Sequence, residues 1–149
     1  MAIARGAGTE IIRTIHLEDV ADTARILIEG EQHHIYTILS VVCFMRVNQS
    51  DPDFIQMFLE CYDSNAGTTD QTLDIFKQNM NQLETFVWND KFSFNGYEPI
   101  DFAGPMDDTT KQNAIADQGS AVAQRMKIVC ETSSNRLDGH CTYIDQNNS

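Results

Sequence analysis

Apolar and polar residues alternate along much of the chain, and this two-residue period indicates β-strands that bury one face. The longest alternating run, residues 34–47, places seven residues on one face: Ile35, Thr37, Leu39, Val41, Cys43, Met45 and Val47. A second run, residues 54–62, places Ile55, Met57, Leu59 and Cys61 on one face. We expect the first run to be a central strand, joined to the second as a meander pair by the polar turn at residues 48–53.

Shorter runs with the same period occur at residues 9–17, 24–29, 73–80, 84–94, 124–132 and 140–145. Their spacing predicts an all-β fold, a β-sandwich or jelly-roll-like barrel with at most one or two short helices. One alternative stays open, because residues 70–83 also carry apolar side chains at a 3-4-3 helical spacing. The pair Asp138-Gly139, which lies between two alternating runs, predicts a hairpin turn.

Composition divides the 149 residues into a short arm and one domain. Residues 1–9 carry small side chains and two glycines without periodicity, which predicts a flexible N-terminal arm, and residues 10–149 form the domain. An acidic stretch at about residues 106–123 is expected to be a loop insertion, with room for a short helix at residues 113–116. The residues expected in the core are Leu39, Val41, Cys43, Met57, Leu59, Phe86 and Ile128.

The chain is strongly acidic, with 22 Asp and Glu against 10 Lys and Arg and a formal net charge of -12. Its cations are scattered singly, whereas nucleic-acid binding needs a basic stripe, so we expect no nucleic-acid partner. The run at residues 35–47 is shorter than the ~20 apolar residues of a spanning helix, so we expect no membrane association. The opening residues lack the pattern of a secretory signal, which favours synthesis in a cytoplasm.

The sequence predicts no catalytic, cofactor-binding or metal site. His33 and His34 are adjacent and would point to opposite faces of a strand, so the two rings could not easily converge on one ion. Residues 63–70 have the oxygen-rich composition of a calcium loop without its spacing. The glycines form no phosphate-binding loop, and no catalytic signature surrounds His16 or His140.

The four cysteines occur at long intervals without a C-x-x-C pair: Cys43, Cys61, Cys130 and Cys141. Each lies in an apolar or alternating stretch, so we expect buried, reduced thiols. A cross-strand bond between Cys130 and Cys141 stays open as the alternative.

Several segments resemble, in chain order, parts of the small virion structural proteins of tailed bacteriophages. They are the strand at residues 36–47, the polar loop at 63–70, Thr85-Phe86-Val87-Trp88-Asn89-Asp90, Gly96, and Thr142-Tyr143-Ile144-Asp145. The opening from Arg5 to Arg13 is also similar to openings of such proteins, whereas the insertion at 106–123 departs from the pattern. The resemblance implies a non-enzymatic capsid decoration, cement, or neck- or tail-associated protein that docks on the virion in many copies.

This resemblance also implies the partners and the localisation. The partners would be major capsid or neck and tail proteins and copies of the chain itself, and the protein would be made in the host cytoplasm and reside in the virion. A carbohydrate- or receptor-binding sandwich of a virion fibre or spike is the alternative, and it would use Trp88 or Tyr97 as an exposed sugar platform. Core packing is the ordinary role of such alternating aromatics, and a small enzyme is the least favoured function.

The N-terminal arm is the predicted contact with a neighbouring subunit. An unpaired segment that leads directly into a strand can donate backbone hydrogen bonds across an interface. Arg5 and Arg13 are the predicted anchors, each meeting a carboxylate on an adjoining copy, and Gly6 and Gly8 complete the contact segment. A solvated tail is the alternative.

Overall fold

The computed structural model of this chain describes residues 9–32, 34–49, 52–63, 66, 68–97 and 123–147. These residues form nine β-strands and no helix, which confirms the all-β prediction. The strands are β1 (Thr9–Val20), β2 (Arg25–Glu29), β3 (His34–Val47), β4 (Asp53–Asp63), β5 (Thr68–Met80), β6 (Thr85–Trp88), β7 (Phe92–Asn95), β8 (Arg125–Cys130) and β9 (Arg136–Asn147).

The strands form two antiparallel sheets. In the front sheet the order is β1-β9-β3, and β6 and β7 lie one after the other along the remaining side of β3. In the back sheet the order is β2-β8-β4-β5. Strand β3 therefore has neighbours on both sides, as expected for a central strand.

The pairing is nested along the chain. β1 pairs with β9, β2 with β8, β3 with β6 and β7, and β4 with β5. Each pair therefore encloses the next one along the chain, as in a long hairpin that folds over into two sheets. The additional pairs β3·β9 and β4·β8 connect these nested pairs within the front sheet and the back sheet, respectively. This strand order is the jelly-roll topology, the second of the two architectures predicted from the sequence.

The core lies between the two sheets and is made of alternate residues from both. Its fully buried members include Ile38, Val41, Cys43 and Met45 from β3, Ile55 and Met57 from β4, and Met126 and Ile128 from β8. The burial pattern of β4 follows the predicted alternation up to Leu59, because this strand has a regular register with β8. Phe86 packs against this core as a partly buried residue.

Leu39 is not in the core, contrary to the prediction. Ile38 pairs with Tyr143 and Ser40 with Thr142, so Leu39 is an extra residue at a β-bulge. A bulge reverses which side chains face inward, because the side-chain period of a strand is two residues. The buried residues are accordingly Tyr36 and Ile38 before the bulge and Val41, Cys43 and Met45 after it, and Leu39 is only partly buried.

Two local predictions of pairing are wrong. Asp138-Gly139 is not a turn: both residues lie inside β9, where they pair with Phe44 and Cys43 of β3. The actual turn is at residues 131–135, and it carries the chain from the back sheet to the front sheet, so no hairpin forms there. Likewise β3 and β4 are not a meander pair, because they belong to opposite sheets.

The helix permitted by the 3-4-3 spacing does not form, since residues 70–80 belong to β5. β5 is at the edge of the back sheet and is mostly exposed; its packed residues are Ile75 and Phe76, which are partly buried, and Met80, which is buried in the core. An apolar residue every third or fourth position therefore reflects partial burial of an edge strand. The arm at residues 1–8 and the insertion at 106–122 lie outside the described residues.

Candidate functional site

A pocket of about 190 Å³ opens where the edge strands of the two sheets face each other. We call it the edge pocket. Its polar walls are Arg13 of β1, Glu29 and Glu31 at the end of β2, Tyr36 of β3, and Tyr143 and Asp145 of β9, and its apolar walls are Leu27 and Ile28. A bulge in β2 at Leu27 explains why two consecutive residues, Leu27 and Ile28, are both buried there.

A buried carboxylate holds the inner end of the edge pocket together. Asp145 is 4% exposed; its Oδ2 accepts a hydrogen bond from Arg13 Nε at 2.9 Å, and its Oδ1 bonds His34 Nδ1 at 2.5 Å. The other ring nitrogen of His34 lies 3.4 Å from Glu31 Oε2. A buried carboxylate is tolerated only when it is paired and hydrogen-bonded, and Arg13 and His34 meet this requirement across three strands.

Two tyrosine hydroxyls line the same pocket. Tyr36 accepts a hydrogen bond from the backbone N–H of Glu31 at 3.0 Å, and its ring lies 6.0 Å from that of Tyr143, centroid to centroid. Burial raises the pKa of both phenols, and the negative charge of Asp145 acts in the same direction. Both hydroxyls therefore stay protonated and can donate hydrogen bonds.

The end of the sandwich beside the pocket is closed by direct backbone packing. Gly30 N–H donates to Gln124 O, Gln124 N–H donates to Gly96 O, and Gly96 N–H donates to His34 O, each at 2.8 Å. A Cβ on Gly30 would lie 2.0 Å from Gly96 O, and one on Gly96 would lie 2.2 Å from Glu31 O. Only glycine fits at these two positions, because the obstructing atoms belong to the backbone.

Of the predicted subunit-contact residues, Arg13 is among those that the structure describes. Arg13 lies in the edge pocket, where its guanidinium binds Asp145 of the same chain. Arg5, Gly6, Gly8 and His33 lie outside the described residues. The central residue of the site, Asp145, was missed as a site residue by the sequence reasoning, although it has the same parity as the buried Cys141 and Tyr143. An acidic residue on the apolar face of a strand is the signal that could have found it.

The outer faces of the two sheets differ in charge. Across the back sheet, Glu29 pairs with Arg125, and Glu60 pairs with both Arg125 and Lys127, at 2.9 to 3.2 Å. The hydrogen bond from Lys127 is the largest cause that lowers the pKa of Glu60. This row of charges connects β2, β8 and β4.

Among the described residues, no Asp, Glu, Lys or Arg lies in the middle of the front sheet's outer face, and the Glu18 carboxylate contacts His16 at its margin. Alternation and register place eleven residues there, and we call them the neutral face: Ile12, Thr14, His16, Thr37, Ser40, Val42, Val87, Ser93, His140, Thr142 and Ile144. Two of them are large, exposed aliphatic side chains, Ile12 at 70% and Val87 at 55%. Asp, Glu, Lys and Arg make up 21% of the chain, so a patch without them is unusual. Such an uncharged surface with exposed apolar side chains is suited to contact with another protein.

The aromatic residues of β6 and β7 pack inward at the opposite edge of the sandwich. The ring of Phe76 from the back sheet contacts those of Phe86 and Trp88, with centroids 5.0 and 6.1 Å apart, and Trp88 contacts Phe92 edge-on at 5.6 Å. Trp88 is half-buried in this cluster, which is how a sandwich closes an edge.

The four cysteines are free thiols, and all except Cys61 are buried. Cys130 and Cys141 lie in different sheets, so a cross-strand bond between them is not formed. Burial raises the pKa of Cys43, Cys130 and Cys141 to about 12. Among the described residues, no group of three His, Cys, Asp or Glu side chains is arranged for a metal ion, and no helix has the length and hydropathy of a membrane span.

The site therefore belongs to a jelly-roll β-sandwich with a polar pocket at one edge and a neutral outer face. No family model matches the chain. A search of curated proteins also finds no match.

Solved structures with a similar arrangement include a chain of Bacillus endospore appendages, described as disulfide-linked pili, at 13% identity and a TM-score of 0.42 over 100% of this chain and 97% of that one. The VP2 subviral particle of infectious bursal disease virus matches at 8% identity and a TM-score of 0.48, over 97% of this chain and 34% of VP2. The decameric BFDV capsid protein matches at 10% identity and a TM-score of 0.30, over 93% and 97% of the two chains. This chain thus spans about a third of the length of VP2.

Proposed function

We propose that this chain is a non-enzymatic structural protein of a virion, which assembles with copies of itself through the neutral face of its front sheet. Jelly rolls form viral capsid domains as well as lectins and cupins, so the fold alone does not select a function. The observation that carries the proposal is the neutral face, because it combines exposed aliphatic and hydroxyl side chains without a formal charge.

Electrostatics explains why this face suits contact between copies. Two chains that each carry a net charge of -12 repel one another, and the repulsion is weakest where the approaching surfaces carry no carboxylates. The outer face of the back sheet would then remain exposed to solvent. It is charged, and its ion-paired residues are Glu29, Glu60, Arg125 and Lys127.

In the finer form of the proposal, the chain is a decoration, cement, or neck- or tail-associated protein of a tailed bacteriophage. The similarity of its segments to such proteins supports this form. Its partners are then the major capsid or neck and tail proteins, and the protein is made in the host cytoplasm and resides in the virion. The N-terminal arm, with Arg5, Gly6 and Gly8, is proposed as a second contact between subunits.

The experiment introduces one carboxylate at the centre of the neutral face. Thr142 lies between Thr14 and Ser40, so Thr142→Glu places a charge in the middle of the contact. We expect sedimentation velocity to show self-association weakened at least about tenfold, the equivalent of about 1.4 kcal/mol, with little change in the melting temperature of the monomer. Particle-binding assays should show the same loss.

The matched control is Gln78→Glu on the exposed edge strand β5, which adds the same charge to the back sheet. It should associate as the unmodified chain does. Equal association of both variants would show that the neutral face is not an interface, and an unmodified chain that neither self-associates nor binds particles would refute the proposed function.

A further inference from the structure

The edge pocket contains an unused hydrogen-bonding group. Tyr143 is 8% exposed and lines the pocket, and no hydrogen bond joins its hydroxyl to another described residue. A hydroxyl on the wall of a polar pocket can donate and accept a hydrogen bond, so it is available to a ligand group.

The charge of the pocket walls selects the kind of ligand. Arg13 and Asp145 neutralise each other through the bond between Nε and Oδ2, whereas the Glu31 carboxylate at the rim pairs, within the described part of the chain, with His34 alone. Glu29 adds a second carboxylate at the rim, and this carboxylate also forms an ion pair with Arg125 on the outer side of β2. The pocket therefore favours a cation, and a guanidinium suits it because its charge complements the rim carboxylates and its several N–H groups can donate to carboxylate and phenol oxygens.

The chain itself contains a segment with the complementary charge. Residues 1–8 carry one arginine, Arg5, and no carboxylate, and they connect to β1 at Thr9, which pairs with Asn147 at the end of the sandwich that holds His34. An extended continuation of β1 would carry Arg5 about 13 Å away from Thr9, in the direction opposite to Arg13 of the same chain. An arm that continued β1 in this way would meet the pocket of a neighbour more readily than its own.

We propose that the edge pocket is the receptor for the N-terminal arm of a second copy, with the guanidinium of Arg5 bound between Glu31 and Tyr143. This assignment rests on the proposed self-association and gives the arm a defined binding site. The Tyr143 hydroxyl donates its own proton to a backbone carbonyl of the incoming arm. Arg13 stays on Asp145 and shapes the inner end of the pocket.

The first test exchanges charges between arm and pocket in the full chain. Arg5→Glu and Glu31→Arg should each weaken self-association at least about tenfold in sedimentation velocity, because each places like charges together. Mixing the two variants should restore association, since every arm then meets a pocket of opposite charge on the other chain. Arg25→Glu is the control for Arg5→Glu: it makes the same change in net charge at an exposed position of β2.

The second test measures the pocket directly. A peptide of residues 1–9 is titrated into the Arg5→Gln chain, and the backbone amide shifts of Tyr143 and Asp145 are followed by nuclear magnetic resonance. The Arg5 peptide should bind at least about tenfold more tightly than its Arg5→Gln counterpart, and Tyr143→Phe in the receptor chain should abolish most of that difference.

The outcomes separate this inference from the proposed function. Failure of the mixture to restore association, or equal binding of the two peptides, overturns the pocket assignment even when the chain still assembles through its neutral face. Selective binding of the Arg5 peptide and restored association in the mixture, together with normal association of Thr142→Glu, would support the pocket assignment and refute assembly through the neutral face.

Discussion

Asp145 is the buried carboxylate that links β1, β9 and β3 of the front sheet through Arg13 and His34. Asp145→Asn removes the charge that Arg13 and His34 share, and we expect the free energy of unfolding to fall by about 2 to 3 kcal/mol in urea denaturation. Glu18→Gln is the control, because Glu18 meets His16 on the exposed surface and should change stability by less than about 0.5 kcal/mol. Equal effects of the two variants would contradict the central role of Asp145.

Because of the bulge in β3, replacing Ile38 or its neighbour Leu39 with alanine should lower the free energy of unfolding by different amounts. Ile38 is completely buried, so Ile38→Ala should cost about 2 to 5 kcal/mol through lost burial and a cavity. Leu39 is the extra residue of the bulge, and Leu39→Ala should cost less than about 1 kcal/mol. Denaturant melts of both variants test the bulge, and a larger loss for Leu39→Ala would mean that the strand is in the other register.

At the scale of elements, the close backbone contacts of Gly30 and Gly96 at the end of the sandwich leave no room for a larger side chain. In Gly96→Ala the new methyl group would meet the backbone of Glu31, which cannot rotate away, and we expect a loss of about 1 to 3 kcal/mol. In Gly139→Ala the new Cβ meets only Leu17 Cβ at 3.9 Å, an ordinary contact, so stability should change by less than about 1 kcal/mol. Thermal melts that rank the two variants in the opposite order would contradict this packing.

The arm is an element whose removal should separate folding from assembly. The sandwich is closed by β1 and the strands that follow it, so deleting residues 2–8 should leave the melting temperature of the monomer nearly unchanged. Sedimentation and particle binding should both weaken, because the proposed contact is lost. Normal assembly of the shortened chain would show that the arm is only a tail.

Local alternation predicts the elements better than their partners. In β4 the residues Ile55, Met57 and Leu59 face inward as the sequence indicates, whereas in β3 the bulge at Leu39 depends on the register with β9, about a hundred residues away. The edge pocket has the same limit, since Arg13 and Asp145 are 132 positions apart. The pair Asp138-Gly139 satisfies a local turn rule and lies in a strand, because pairing on both sides of β9 outweighs turn preference.

At the scale of the whole molecule, the buried thiols make stability fall in alkaline solution. The pKa of Cys43, Cys130 and Cys141 is about 12 when folded, against an ordinary value of 9.0, so above pH 9 the unfolded chain releases protons that the folded chain retains. The stabilisation is complete below pH 9 and is lost as the pH rises towards 12. Denaturant melts between pH 9 and 11 should show this decline, and it should be shallower in Cys141→Ala; equal slopes would contradict it.

The nested pairing has a consequence for folding during synthesis. The strands that complete the middle of each sheet, β8 and β9, come last among the described strands, and β9 separates β1 from β3 in the front sheet. A ribosome-bound chain that ends before residue 123 lacks both, so β1 has no partner and β2 has none either. Long-range pairings of this kind form slowly, and until they form the apolar sides of β3 and β4 stay open to water. The chain would therefore be most prone to aggregation while residues 123–147 are still to be synthesised.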